Sequence, residues 1–191
     1  MHIADGILPA EISVAADVIA IALVYAGGRS LKSEEIPRMG IFAAALFIVS
    51  LIHFPIAGTS IHLGLYGFAG LLFGMRSIPI IFVNLLFQSL IFQHGGLISI
   101  GINTLTMGSG ALLSALIWRW IKTNRQVKSF ACGFLGILVP AVLISLIFIL
   151  SNYGKGMIFM ISIYFPAAVI EGALTLFIYN FFIKVKPEIF K

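Results

Sequence analysis

The sequence predicts an all-α, polytopic membrane protein with about seven transmembrane helices. Three observations carry that reading. Sixty per cent of the 191 residues are hydrophobic and only 10% are charged, and the mean hydropathy of +1.11 exceeds what a soluble domain of this length has use for. The apolar residues fall into seven runs, and all but one of the cations lie on alternate connections.

In chain order, the first run covers residues 9–25, carries Asp17 near its middle, and holds the spacings Ala16-x-x-x-Ala20 and Ala22-x-x-x-Ala26. Such small-residue spacings let helices approach closely, inside the chain or against another membrane subunit. The second run, 39–54, follows a connection containing Arg29, Lys32 and Arg38. Between it and the third run, 61–75, Pro55 lacks an amide hydrogen and Gly58 and Gly64 permit unusual backbone angles, so the helix is expected to break. The fourth run, 78–93, follows Arg76; the fifth, 102–121, follows Gln93-His94-Gly95-Gly96, a second glycine-permissive break. The sixth, 130–150, contains the single cysteine, Cys132, which excludes a disulfide and a CxxC metal site. The last, 157–185, is long enough to tilt or to leave the membrane at its end. Several runs are shorter than the ~20 residues of a straight span, which suits tilted and re-entrant pieces. No internal repeat or second domain is visible, so residues 1–191 read as one transmembrane domain.

Arg29, Lys32, Arg38, Arg76, Arg119, Lys122, Arg125, Lys128, Lys184, Lys186 and Lys191 fall on one set of connections, and only Lys155 on the other. The positive-inside rule therefore puts the C-terminus in the cytoplasm and the N-terminus outside. An odd number of spans requires the same. The N-terminus has no basic region and carries Asp5, Glu11 and Asp17, so it does not read as a cleavable signal.

The outer face then collects the chemistry, because all four histidines (His2, His53, His62 and His94) fall on or near it. His2 has a particular significance. A free Met1 amine, the His2 amide nitrogen and the His2 imidazole close adjacent chelate rings on one ion. These three nearly coplanar nitrogens suit Ni(II) or Cu(II) and tolerate Co(II). One further imidazole completes a four-nitrogen plane. The 55–64 segment reads in two ways, as a loop dipping to hold His62 under the N-terminus or as an exposed loop with a surface histidine. A broken backbone at membrane depth survives only where protein or a water-filled cavity satisfies it. His94 and Asn103 either orient a metal ligand or line the route to it, or serve a wet loop. Glu171 and Asp17 are intramembrane carboxylates and hence functional candidates; Glu171 can stay protonated, pair with a buried cation or meet a cytoplasmic partner.

Absences narrow the function. The chain has no nucleotide-binding P-loop, no HExxH, no GxSxG and no nucleic-acid-binding stripe. Uphill transport would draw on a partner or an ion gradient.

Met1-His2-Ile3-Ala4-Asp5-Gly6-Ile7-Leu8-Pro9 resembles the N-terminal signature of the CbiM/NikM family, the substrate-binding membrane components of cobalt and nickel energy-coupling-factor transporters. Further matching stretches follow in order: Pro55…Gly58-Thr59-Ser60-Ile61-His62, His94-Gly95-Gly96…Gly101-Ile102-Asn103-Thr104, and Pro166…Ile170-Glu171-Gly172. The resemblance implies a seven-helix component whose N-terminus plugs into the bundle from outside. Met1, His2 and His62 would hold the ion in a near-square plane, with His94, Asn103 and Ser60 as supporting candidates. Ni(II) or Co(II) would be the transported substrate in the prokaryotic plasma membrane, with no organic cofactor. A transmembrane coupling subunit and two cytoplasmic ATPases would drive uptake, with a small accessory membrane subunit in many members. Tyr164 stands where relatives often have histidine, so no role carries to it, and His53 is at most a support. The rival readings are an intramembrane metalloenzyme with an open coordination position and a stand-alone permease. A site saturated by protein nitrogens favours carriage over catalysis.

Overall fold

The computed structural model describes residues 2–56, 59–152 and 156–190, with the side chains of 53–56 and 59–60 left aside. The elements are α1 (Ala10–Gly28), α2 (Ile36–Ser50), β1 (His53–Ile56), β2 (Thr59–His62), α3 (Tyr66–Phe73), α4 (Ser77–Phe92), α5 (Ile100–Trp120), α6 (Arg125–Leu150) and α7 (Met157–Val185). Single 3₁₀ turns lie at Gly74–Arg76 and Pro187–Phe190.

The polarity of the bundle is that of a protein dissolved in lipid. Ser13, Asn84, Gln88, Asn103, Thr104, Ser114, Ser145, Glu171 and Thr175 are all buried, while Val18, Ile21, Ile41, Leu150, Ile158 and Phe177 are exposed. Water would reverse that arrangement; a hydrocarbon solvent favours it, because polar groups must then be satisfied internally. Buried serines and threonines on the helices do so locally. Thr104 Oγ1 donates to the Ile100 carbonyl at 2.7 Å and Ser145 Oγ to that of Ala141 at 2.6 Å.

Among the described residues, seven α-helices follow the seven expected runs in order, but the lengths differ from expectation. Among the described residues, five segments are long and apolar enough to cross a membrane: α1, Tyr66–Phe92, α5, α6 and α7. α2 is shorter at 15 residues. α3 has 8 residues, a rise of about 12 Å against the ~30 Å hydrocarbon core, so it does not span alone. It is instead an inner element, with Tyr66 through Leu71 buried. The all-α expectation also gives way at one place. The second run stops as helix at Ser50, and residues 53–62 form an antiparallel hairpin with His53 opposite His62 and Pro55 opposite Ser60. Pro55 cannot sustain a helix, β-branched Ile56, Thr59 and Ile61 favour strands, and paired strands satisfy each other's backbone.

α3 packs against α5 and α6 through glycine. The Gly67 α-carbon faces the Cys132 carbonyl of α6 so closely that an added Cβ would overlap it, and Gly70 meets the Ala111 carbonyl of α5 in the same way. Ala16 and Ala20 are likewise buried inside the chain, so that spacing serves internal packing, whereas Ala22 and Ala26 are exposed. Gly67→Ala forces backbone against backbone and is expected to cost about 1–3 kcal/mol. A fall in the thermal midpoint of the detergent-solubilised protein checks this; an unchanged midpoint would show that α3 can shift away from α6.

The cationic connections meet at one end of the bundle. Arg76 pairs with Glu35, and the Lys32 amide donates to Glu35 Oε2 at 3.0 Å. The Lys32 amide and then the Arg76 guanidinium hold the Glu35 carboxyl below the usual carboxylate value. Arg38 donates to the Ile189 carbonyl at 3.0 Å, and Phe190 lies against Trp118. The α1–α2 connection, the 74–76 turn and the C-terminal tail therefore form one cluster.

Candidate metal centre

The N-terminal strand enters the bundle in a fixed register. Ile3 is 0% exposed. Its amide donates to Asn103 Oδ1 at 2.8 Å, and Asn103 Nδ2 donates back to the Ile3 carbonyl at 2.9 Å. One carboxamide thus satisfies both backbone groups of one residue. Two residues on, Asp5 Oδ1 accepts from the Ser99 amide at 2.8 Å, and Asp17 Oδ1 accepts from the Gly101 amide at 2.7 Å. These are leading amides of α5, otherwise without intrahelical partners and carrying the positive end of its dipole, so two carboxylates from other elements cap it. Asp5 also lies directly against Gly96, where a Cβ would overlap its carboxylate.

His62 arrives from the other side, at the end of β2. Its ring is 5% exposed. Its Nδ1 lies 3.2 Å from the Leu63 carbonyl, and its Nε2 lies 3.3 Å from His2 Nδ1. A carbonyl only accepts, so Nδ1 carries the hydrogen and the Nε2 lone pair faces His2. A backbone carbonyl fixing the tautomer in this way is the usual support of a metal-binding imidazole. Two nitrogens each about 2.1 Å from one ion at right angles lie roughly 3.0 Å apart, so the His2–His62 spacing suits a shared ion.

The turn after His62 is tied down from α7. Glu171 is fully buried; its carboxylate accepts from the Gly64 amide and, at 3.1 Å, from the Leu65 amide. Leu65 sits in the left-handed region with φ 47° at the start of α3, which has no side-chain cap of its own. Glu171 instead satisfies, from a distant helix, the two amides of the turn that leads into α3.

His94 completes the cluster. α4 ends at Gln93 with φ 52°, the His94 amide bonds back to the Gln88 carbonyl at 3.2 Å, and Ser89 Oγ reaches the His94 carbonyl at 3.4 Å. This fold-back sets the His94 ring centroid 4.4 Å from that of His2 and 5.6 Å from that of His62. One ligand atom from each of the three histidines lies within 4.8 Å of the others.

The expected residues therefore divide. His2 and His62 come together; His94, expected as a support or a lining, stands beside them; Asn103 grips the backbone next to His2. Met1 and the side chains of Ser60 and His53 lie outside the described residues. Asp5 and Glu171 have positions the sequence did not assign, although an acid three residues after His2 and one inside an apolar helix were visible signals. Asn103→Ala leaves the Ile3 amide and carbonyl buried without partners, and is expected to weaken cobalt binding about 10–100-fold, the usual cost of losing an outer hydrogen-bond support. A cobalt titration checks this; unchanged affinity would mean that the N-terminal strand needs no clamp.

Residues 2–189 match the family described as CbiM, cobalt uptake substrate-specific transmembrane region. The cobalt transport protein CbiM of Clostridium tetani is 32% identical, the alignment covering 96% of this chain and 85% of that one. A Methanocorpusculum labreanum protein whose name, CbiMQ, describes a fused cobalt transport protein is 27% identical; this chain spans 36% of its length. A solved structure of a transition metal transporter superposes with a TM-score of 0.80 at 22% identity, covering 97% of this chain and 93% of that one. Those matches span the strands, helices and histidines described above, and the chain belongs to the CbiM family of membrane components for cobalt uptake, as a multi-pass protein of the prokaryotic plasma membrane.

Proposed function

We propose that this chain is the ion-capturing component of an ATP-driven cobalt or nickel importer and binds one Co(II) or Ni(II) through nitrogen donors at its outer face. The observation that carries the reading is the convergence of His2 and His62, 60 residues apart, with nitrogens at 3.3 Å. The Met1 amine, the His2 amide and imidazole, and the His62 imidazole are the ligands, with His94 beside the plane. The three-histidine group contains no carboxylate, so a ready general base for an intramembrane hydrolase is missing from it.

The histidines occupy the outer face in this reading, and the clustered cations around Arg38, Arg76 and the tail occupy the cytoplasmic one, following the positive-inside rule. Energy comes from a transmembrane coupling subunit with two cytoplasmic ATPases. The fused relative whose name joins M to Q supports a partner of that kind. A planar nitrogen set leans toward nickel by ligand field, whereas the names of the relatives lean toward cobalt; copper would outbind both in vitro.

The test is the metal content and visible spectrum of the purified chain with its native Met1 amine. One Co(II) or Ni(II) per chain is expected, released as pH falls because protons compete for every donor. A chain that binds neither ion would overturn the proposal.

A further inference from the structure

We propose that the groove between the α3–α4 turn and the last turns of α5 binds an anionic phospholipid, with an acyl chain in the groove and the phosphate on the cations that follow. The groove lies at the other end of α5 from His94, and the proposal is independent of the metal reading.

Unequal helix lengths make the groove. Gly70 of α3 packs on Ala111 of α5; beyond that contact α3 ends at Phe73, whereas α5 runs on to Trp120. The turn after α3 holds Gly74 at φ 57°, and a Cβ there would meet nothing within 4 Å. The final turns of α5 are left open on this side over a cavity of about 480 Å³, whose lining includes Gly74, Ala115, Leu116, Trp118, Arg119 and Trp120. It faces the surroundings, since Leu116 is 54% exposed and Trp120 69%. Arg119 is the one charged residue that lines it. An apolar groove open to a bilayer takes hydrocarbon, and the charge at its mouth selects the headgroup.

That mouth is strongly cationic. Arg119, Lys122, Arg125 and Lys128 fall within ten residues, and no Asp or Glu occurs between Glu35 and Glu171. The single ion pair among the described residues is Arg76–Glu35, so these four cations have no acidic partner there. Lys128 Nζ donates to the Trp118 carbonyl at 3.0 Å and lies 4.8 Å from the centre of the Trp118 ring. The Arg119 guanidinium lies 5.4 Å from the centre of the Trp120 ring. These cation–π contacts hold two charges beside the two indoles. Tryptophan concentrates where headgroup meets acyl chain, so the charges sit at phosphate depth. α6 begins among them with no acidic residue in its first turn, and the positive end of its dipole adds to the same field. A cluster of about four or more such cations beside a span attracts anionic lipid, roughly fivefold per charge. Phosphatidylglycerol supplies the missing anion and the apolar chain in one molecule, whereas a protein partner would have to match both features with an acidic and an apolar surface.

Trp118 and Trp120 are the only tryptophans of the chain, so quenching of their fluorescence by brominated acyl chains reads this groove directly. The full chain is reconstituted in phosphatidylcholine vesicles containing rising shares of brominated phosphatidylglycerol or of brominated phosphatidylcholine. Half-maximal quenching is expected at a share of the brominated phosphatidylglycerol lower by about fivefold or more. Arg119→Gln combined with Lys122→Gln is expected to remove that preference. Ala115→Phe fills the groove while keeping every cation, and is expected to remove it too. Lys32→Gln changes a cation of the same end that does not line the groove, and is expected to leave it intact. Equal quenching by the two lipids in the wild type would overturn the proposal and leave the groove to a helix of a protein partner. A preference retained in Ala115→Phe would overturn it as well, because the cations would then act only as a diffuse surface field. An equal loss in Lys32→Gln would have the same meaning. Thermal melts show which variants fold, and the double charge variant, which alters only exposed side chains, decides the matter if Ala115→Phe does not.

Discussion

Lengthening the chain by one residue ahead of Met1 is expected to abolish tight cobalt binding while leaving the protein folded. The extra residue converts the Met1 amine into an amide and moves the new amine one residue away from the chelate. A flexible terminus could recover by sliding inward, but this one cannot. The Ile3 amide and carbonyl are held by Asn103 at 2.8 and 2.9 Å, and Asp5 is held at the Ser99 amide. A slip of one residue would drive the His2 imidazole into the place of Ile3, which is 0% exposed. Loss of an outer support of a metal ligand costs about 10–100-fold, so loss of a ligand together with its chelate ring is expected to exceed ~100-fold. His62→Ala should be similarly severe, because His62 is the one ligand of the proposed plane that does not come from the N-terminus. Equilibrium dialysis of Co(II) against the native, extended and His62→Ala proteins, with thermal melts to show folding, is the measurement. Equal cobalt in the native and extended forms would move the site away from the N-terminus.

Glu171→Ala is expected to produce the largest loss of stability of any single change near the site. Two amide hydrogens, on Gly64 and Leu65, would lose their acceptor inside the bundle. Each buried unpaired group costs roughly 1–3 kcal/mol, so a loss of order 3 kcal/mol follows. The loop released is the one joining His62 to α3, so cobalt affinity should fall with stability. Glu171→Gln keeps one acceptor oxygen for the two amides and should recover most of both. Urea or thermal unfolding in detergent, paired with cobalt titration, reads the two effects together. An alanine variant as stable as the wild type would show that the 63–65 turn finds other partners.

These results define how much of the molecule was written locally. The membrane class was legible because hydropathy is a property of composition and needs no contact to be known. The proposed chelate is local in the same sense, since its rings would close among adjacent residues. The interruption near Pro55 was legible because proline and glycine act on their own backbone; its outcome, a hairpin instead of a broken helix, depended on strand pairing. The 61–75 run reads as one apolar segment, of which only Tyr66–Phe73 is α-helix, because apolar residues look alike whether they face lipid or two neighbouring helices. Only the packing of Gly67 and Gly70 shows which.

By itself the sequence determined that this chain lives in a membrane and offered His2 as a candidate metal ligand, since both depend on residues near one another along the chain. The tertiary structure decided that His94 stands beside His2 and His62, that Asn103 and Asp5 lock the register of the N-terminus, and that Glu171 holds the turn after His62. Those partners are separated by 32 to 107 residues, and only the packing of the helices brings them within reach of a hydrogen bond or a shared ion.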